Sequence, residues 1–366
     1  MDNDLLYQVA LSMVPGIGDV NAKSLVNIYG DATSIFKAPK KQLEKIEGIG
    51  SIRAGSLKHF NDFKTCEEEI EFIIKYKIQP VFINSDAYPK RLINCYDSPV
   101  LLYYRGSANL NAQRIVSIVG TRNNSAYGRS VCEQLIEELK DHRIIIISGL
   151  AFGIDTIAHR SAIKNNLETI GVLAHGLDRI YPSQNKALAK LMTAQGGLLT
   201  DFKSRTNPDK QNFPKRNRIV ASVCDALVVI ESAQKGGSLI TAELANSYNK
   251  DVFAIPGRTT DNKSEGCNYL IKNNKAQLIT TAADLLYLMN WNEGEKPIRK
   301  KQRELFIDLT DAERTIINIL NEKENSSIDE LYFKSGLSSS MVAQALLMLE
   351  MNGLVSSLPG KIYKMQ

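Results

Sequence analysis

The stretch Ser117-Ile118-Val119-Gly120-Thr121-Arg122-Asn123-Asn124-Ser125-Ala126-Tyr127-Gly128 decides the fold of this 366-residue chain. The apolar run Ile115–Val119 has no alternation, which suits a strand covered on both faces, as in a parallel sheet. Beyond the glycine turn, Val131, Leu135, Ile136 and Leu139 recur at helical spacing, predicting a sheet-packed helix from Gly128 to Lys140. A glycine, a hydroxyl and a guanidinium (Gly120, Thr121, Arg122) thus occupy a strand-to-helix turn. Backbone N–H groups and a positive helix end suit a phosphate there, with Arg122 to pair it.

The same alternation continues to about residue 290. Strands are predicted at Ile144–Ser148, Ile170–Ala174, Leu198–Thr200, Ala226–Ile230 and Val252–Ile255, with small-residue turns after the longer ones. Strand, turn and helix in repetition mean a Rossmann-like, doubly wound parallel α/β sheet. Ligands bind such sheets outside the carboxyl ends of the strands, so these turns crowd one functional edge.

What is missing narrows the ligand. There is no G-x-x-x-x-G-K-[ST], and Gly120-Thr121-Arg122 does not continue into G-x-G-x-x-G. Gly149 and Gly153 are four apart, also the wrong spacing. His159 and His175 have no serine or cysteine nucleophile pattern around them, and His159, beside Ala158 and Ala162, is expected to be packed. Asp155 is expected to cap or face the dipole of its helix.

Two other stretches bring charge or donors to that edge. Pro208–Arg218 holds four cations (Lys210, Lys215, Arg216, Arg218) and Phe213 in eleven residues, and is expected to be a loop. Cations that follow a backbone and a ring that stacks on a base are what single-stranded nucleic acid needs. A solvated loop with Phe213 tucked into the core is the plainer alternative. Lys235-Gly236-Gly237-Ser238 opens another helix, where glycines let a backbone approach an anion or simply make a turn.

Length predicts about two to three domains. A hydrophobic fraction of 43% and a charged fraction of 23% describe an ordinary globular protein. No apolar run is long enough for a membrane span, and the acidic start of the chain is unlike a signal peptide. Five scattered cysteines, none in a C-x-x-C pair, indicate reduced thiols in a cytoplasm, with neither a disulfide framework nor a zinc site, and no cofactor is expected. A net charge of +5 permits an anionic partner without requiring one.

Residues 1–65 are expected to form a helical domain with two matching hairpins. Val14-Pro15-Gly16-Ile17-Gly18 and Ile46-Glu47-Gly48-Ile49-Gly50 lie thirty-two residues apart and resemble helix-hairpin-helix (SAM-like) units. Such turns grip a DNA phosphate, with Lys23 and Arg53 to reinforce it, or merely let helices meet. Residues 66–113 extend the edge of the sheet domain, which spans 66–290. A basic linker, 291–309, carries Lys296, Arg299, Lys300, Lys301 and Arg303. Residues 310–366 then have the helix, helix-turn-helix and hairpin order of a winged helix. Its third helix, Ser338–Met351, contains no lysine or arginine, so the module is expected to dock protein or pack on the rest of the chain, and not to enter a DNA groove.

Together Gly120-Thr121-Arg122, Ser148–Asp155, Phe213-Pro214-x-Arg216-Asn217-Arg218-Ile219 and Gly236–Ala242 resemble the DNA-processing protein A (DprA/Smf) family over nearly the whole chain. The resemblance implies a single-stranded DNA-binding protein of natural transformation, without enzymatic activity. It would protect incoming strands, load the RecA recombinase and form a homodimer through the Rossmann-like domain. Arg122 would then clamp a phosphate, Lys210 would contact another and Phe213 would stack on a base. Gln211 and Asn212 would hydrogen-bond beside the strand, while Arg216 and Arg218 would either touch DNA or hold the loop through buried pairs. Gly236, Gly237 and Ser238 would complete the anion-binding edge. The rival is a nucleotide phosphoribohydrolase with a P-G-G-x-G-T-x-x-E loop. Lys235 stands for its proline, Leu239 for its third glycine and Ile240 for its threonine.

Overall fold

The computed structural model describes residues 3–291, 309–323, 325–358 and 360–365. Among these, nine strands make one sheet: β1 (Gln79–Phe82), β2 (Leu101–Gly106), β3 (Arg114–Val119), β4 (Ile144–Ser148), β5 (Thr169–Val172), β6 (Gly196–Thr200), β7 (Ala226–Val229), β8 (Asp251–Ala254) and β9 (Gln277–Leu278). Their order is β1-β2-β6-β5-β4-β3-β7-β8-β9. From β6 to β9 neighbours are parallel, and β1 and β2 add an antiparallel edge.

The apolar strands are continuous because both faces are covered. Ile115 and Val119, Ile145 and Ile147, and Leu227 and Val229 pack on one side, with the helices Asn212–Ser222 and Gly237–Ser247 and with the N-terminal helices. Val116 and Ile118, Ile144 and Ile146, and Ala226 and Val228 pack on the other, with the helices Ala126–Glu138 and Ile154–Lys164. The first of those covering helices starts two residues earlier than its apolar spacing predicts, because the Ser125 hydroxyl accepts from the Gly128 amide and caps it.

The chain moves outward from β3 through β4, β5 and β6, then returns to the other side of β3 as β7. The topological switch point is therefore between β3 and β7, and it positions the functional edge.

The N-terminal hairpins are present, and the first glycine of each takes the same left-handed conformation, with φ of 79° at Gly16 and 80° at Gly48. Their cations are committed to backbone carbonyls of the chain itself. Lys23 Nζ donates to the carbonyls of Ile93 (2.5 Å) and Cys95 (2.6 Å). Arg53 joins the two turns, donating to Gly16 O (3.0 Å) and Gly48 O (2.6 Å). These contacts favour the packing role over the phosphate grip.

The chain divides into two compact units between residues 292 and 293. In the second, helices Asp311–Glu322, Ile328–Ser335 and Ser339–Met351 combine with β10 (Ser326–Ser327), β11 (Val355–Leu358) and β12 (Ile362–Met365), paired in the order β10-β12-β11. This is the expected winged helix, opened by a Thr310–Glu313 capping box. The basic run from Lys296 to Arg303 lies outside the described residues. No helix among the described residues is long and apolar enough to cross a membrane.

Candidate nucleic-acid interface

Three loops interlock at the switch point. The Thr121 amide donates to Glu231 O (2.8 Å) and the Ile154 amide to Thr121 O (3.2 Å). Glycine is required at both contacts. A Cβ on Gly120 would meet the Ile154 side chain at 2.6 Å, and Gly153, at φ 77°, lies against the Thr121 carbonyl. The motif glycines thus hold the loops after β3, β4 and β7 together.

The helix that follows Gly120-Thr121-Arg122 already has its anion. The Ser125 amide donates to Glu231 Oε2 (2.8 Å), and a Cβ on Gly128 would meet that oxygen at 2.6 Å. The buried carboxylate of Glu231 thus takes the place expected for a phosphate. Sequence placed Glu231 only in a turn after β7, and its distance along the chain hid the contact.

An external anion has a different approach. Arg122 is exposed, no carboxylate pairs with it among the described residues, and its guanidinium carbon lies 5.2 Å from the Phe213 ring centroid. A cleft of about 380 Å³ runs from Gly120, Thr121 and Arg122 to Gly236, Gly237 and Ser238. Those last residues open the helix Gly237–Ser247, whose N-terminus has no side-chain cap. At Gly236 a Cβ would collide with the Ser232 hydroxyl, but at Gly237 it would meet nothing within 4 Å. Ser238 is buried and donates to Ser232 Oγ (2.8 Å), so it braces the turn.

The expected basic loop becomes helix at Asn212, with Pro214 in the first turn, where its missing N–H costs nothing. Lys210, Gln211 and Lys215 stay exposed. The Asn212 side chain turns inward instead and donates to Asn207 O (3.0 Å), which removes it from the expected contacts.

Arg216 and Arg218 are structural too. Arg216 is buried, donates to the carbonyls of Gly149 and Val172, and leaves no room for a Cβ on Gly149. Its pKa is lowered to about 10, by burial foremost and with a contribution from the charge of Arg122, against the opposing pull of Asp155. Asp155 accepts from the amides of Gly149 (3.1 Å) and Ala151 (3.3 Å), and burial raises its pKa against the pull of Arg216. Arg218 bonds Asp19 (2.7 Å), Asp201 (2.8 Å) and the Asp97 carbonyl.

A smaller aromatic pocket adjoins the cleft, formed by Arg122, Phe152, His175, Tyr181 and Phe213 over Arg216. Both guanidiniums approach the half-buried Phe213 ring, at 5.2 Å (Arg122) and 6.0 Å (Arg216) from its centroid, and the ring lies 6.1 Å from Tyr181. Phe152 and Tyr181 were not singled out by sequence; only their places in loops after β4 and β5 pointed to them. Neither histidine is set up as a base. The buried His159 bonds Thr169 Oγ1 (2.7 Å), and His175 accepts from the Tyr181 amide (3.2 Å) while its other nitrogen meets Gly176 O (2.9 Å). Glu243, at the end of the stretch resembling a phosphoribohydrolase loop, is exposed and pairs with Lys275 (3.2 Å).

Comparison with known proteins follows the same lines. The DNA recombination-mediator protein A family matches residues 79–290, and the DprA winged helix domain matches residues 304–361. Protein Smf of Synechocystis is 31% identical over 401 aligned residues, covering 99% of both chains. DNA processing protein DprA of Streptococcus pneumoniae is 42% identical over 204 residues, 56% of this chain and 72% of that one. The X-ray structure of the pneumococcal protein superposes with a TM-score of 0.66 at 33% identity, covering 78% of this chain and 98% of that one. A Helicobacter pylori DNA processing protein A, described for its single-stranded DNA binding mode, superposes with a TM-score of 0.53 at 29% identity, covering 58% and 96%.

Proposed function

Because this chain belongs to the DNA recombination-mediator protein A (DprA/Smf) family, we propose that it binds single-stranded DNA along the carboxyl edge of its sheet. In this proposal Arg122 takes a phosphate, Phe213 stacks on a base, and Lys210 and Gln211 contact the strand beside it. The open N-terminus of the helix Gly237–Ser247 receives a second phosphate. The observation that carries this is Arg122: exposed, without a carboxylate partner among the described residues, and stacked on an aromatic ring across from an uncapped helix end. Its charge and that of Arg216 approach the same ring, and a phosphate there relieves their repulsion.

By family, the role extends to protecting strands taken up in transformation and loading the RecA recombinase onto them, as a cytoplasmic homodimer and without catalysis. The winged helix serves a protein partner in this scheme. Its third helix carries exposed Met341, Leu347, Met348 and Met351 where a groove reader carries cations.

Gel shifts with oligothymidine test the site. Arg122→Ala and Lys210→Ala are each expected to weaken binding about tenfold or more, the worth of one charged hydrogen bond. If both variants bind like the parent at moderate salt, the site is elsewhere.

A further inference from the structure

Next to the aromatic pocket, a groove of about 990 Å³ opens between the loop after β5 and the helix Lys186–Ala194. Its floor is apolar, made of Leu177, Ile180, Ala189 and Leu198. Around it stand Arg105, Arg179, Lys186 and Lys190. Lys186 and Lys190 are four residues apart on the helix and so share a face. Arg179 is neutralised by Asp178 at 2.8 Å. Arg105, Lys186 and Lys190 are exposed and make no ion pair among the described residues.

The groove and the Arg122–Phe213 site are lined by neighbouring residues of one loop. Tyr181 and Pro182 wall the aromatic pocket, while Ile180 and Ser183 on either side of them wall the groove. A strand leaving the ring of Phe213 past the exposed Tyr181 would need to cross only this loop to reach it. An apolar floor bordered by unpaired cations fits a chain of flat bases on an anionic backbone, with bases against the floor and phosphates at the lysines.

We propose that this groove is a second segment of the single-stranded DNA path, beyond the phosphate and base positions at Arg122 and Phe213. The inference rests on the single-strand reading of the Arg122 site and lengthens its footprint. An acidic amphipathic protein segment is the competing occupant, and the test separates the two.

The test uses the full chain carrying Lys186→Ala and Lys190→Ala together. Both positions are exposed on a helix and alanine favours helix, so folding is preserved. Binding is followed by fluorescence anisotropy with oligothymidines of about 5 and about 16 nucleotides, bracketing the site sizes of single-strand binders. Arg122→Ala serves as the comparator that weakens both lengths. The double variant is expected to bind the short oligomer like the parent and the long one about tenfold more weakly. Its plot of log affinity against log salt for the long oligomer should flatten by about 1.4, or about 0.7 per lost phosphate. Parental affinity and slope with the long oligomer overturn the proposal and leave the groove to an acidic protein segment. An equal loss at both lengths also overturns it, since the lysines would then act on the Arg122 site or on the field as a whole. If the parent itself binds neither oligomer, the Arg122 reading fails, and the groove proposal falls with it.

Discussion

Two arginines approach one ring and do opposite work. Arg122 lies 5.2 Å and Arg216 6.0 Å from the Phe213 centroid, yet only Arg216 is buried and bonded to carbonyls. Arg216→Ala leaves those carbonyls without their donor and removes the charge that opposes the burial of Asp155, and is expected to cost about 3–5 kcal/mol in denaturant titrations. Arg122→Ala should change stability by no more than about 0.5 kcal/mol, as surface changes do, while it weakens DNA binding. Equal stability losses would mean that both arginines are structural. Composition made the two look alike, and only burial separates them. His159 gives a pH signature. Burial foremost, then the charge of Arg216, lowers its pKa from 6.5 to about 3. A base whose folded pKa is depressed contributes fully above about 6.5, and that contribution is lost as pH falls towards 3. Stability should therefore drop by up to about 1.4 kcal/mol per pH unit across that window. In His159→Gln the drop should be shallower, and an unchanged melting profile against pH would show that His159 does not carry it.

At the scale of elements, the loops after β3, β4 and β7 form one assembly in which most glycines make room for the protein itself. Gly149 accommodates Arg216, Gly153 the Thr121 carbonyl and Gly128 the Glu231 carboxylate. Gly237 is different, because an added Cβ meets nothing within 4 Å and its backbone is not left-handed. Packing does not demand glycine there, whereas a phosphate approaching the helix end would. Gly237→Ala is thus expected to keep or slightly raise the melting temperature, by removing flexibility from the unfolded chain, and to weaken oligothymidine binding severalfold. Binding unaffected by the methyl group would move the phosphate away from this helix end. The helix Asn212–Ser222 illustrates how an element can be misjudged from charge. Its cations and Pro214 look like a loop, but proline is at home in a first turn, and the neighbouring Arg216 and Ile219 are buried.

For the molecule as a whole, Arg218 ties the N-terminal helices to the sheet domain by pairing Asp19 with Asp201. Asp201 is held above the usual carboxylate range by burial, against the opposing charge of Arg218. Arg218→Ala should destabilise this unit by about 3–5 kcal/mol and expose its N-terminal helices to limited proteolysis. A parental digestion pattern would show that the hydrophobic contacts suffice alone. The sequence by itself determined the alternating α/β order, the two glycine hairpins, the winged helix and the sheet edge where the loops of the candidate site meet. Those follow from hydrophobic period and turn chemistry, which are local and survive in a linear string. Only the tertiary structure decided which charges remain available. Glu231 reaching Ser125, Asp19 reaching Arg218 and Lys23 reaching the Ile93 carbonyl join residues 106, 199 and 70 positions apart. No spacing rule encodes such pairs, because burial and partner geometry exist only once the chain has folded. Arg122 could be nominated from the string, but that no carboxylate among the described residues claims it could be known only from the fold.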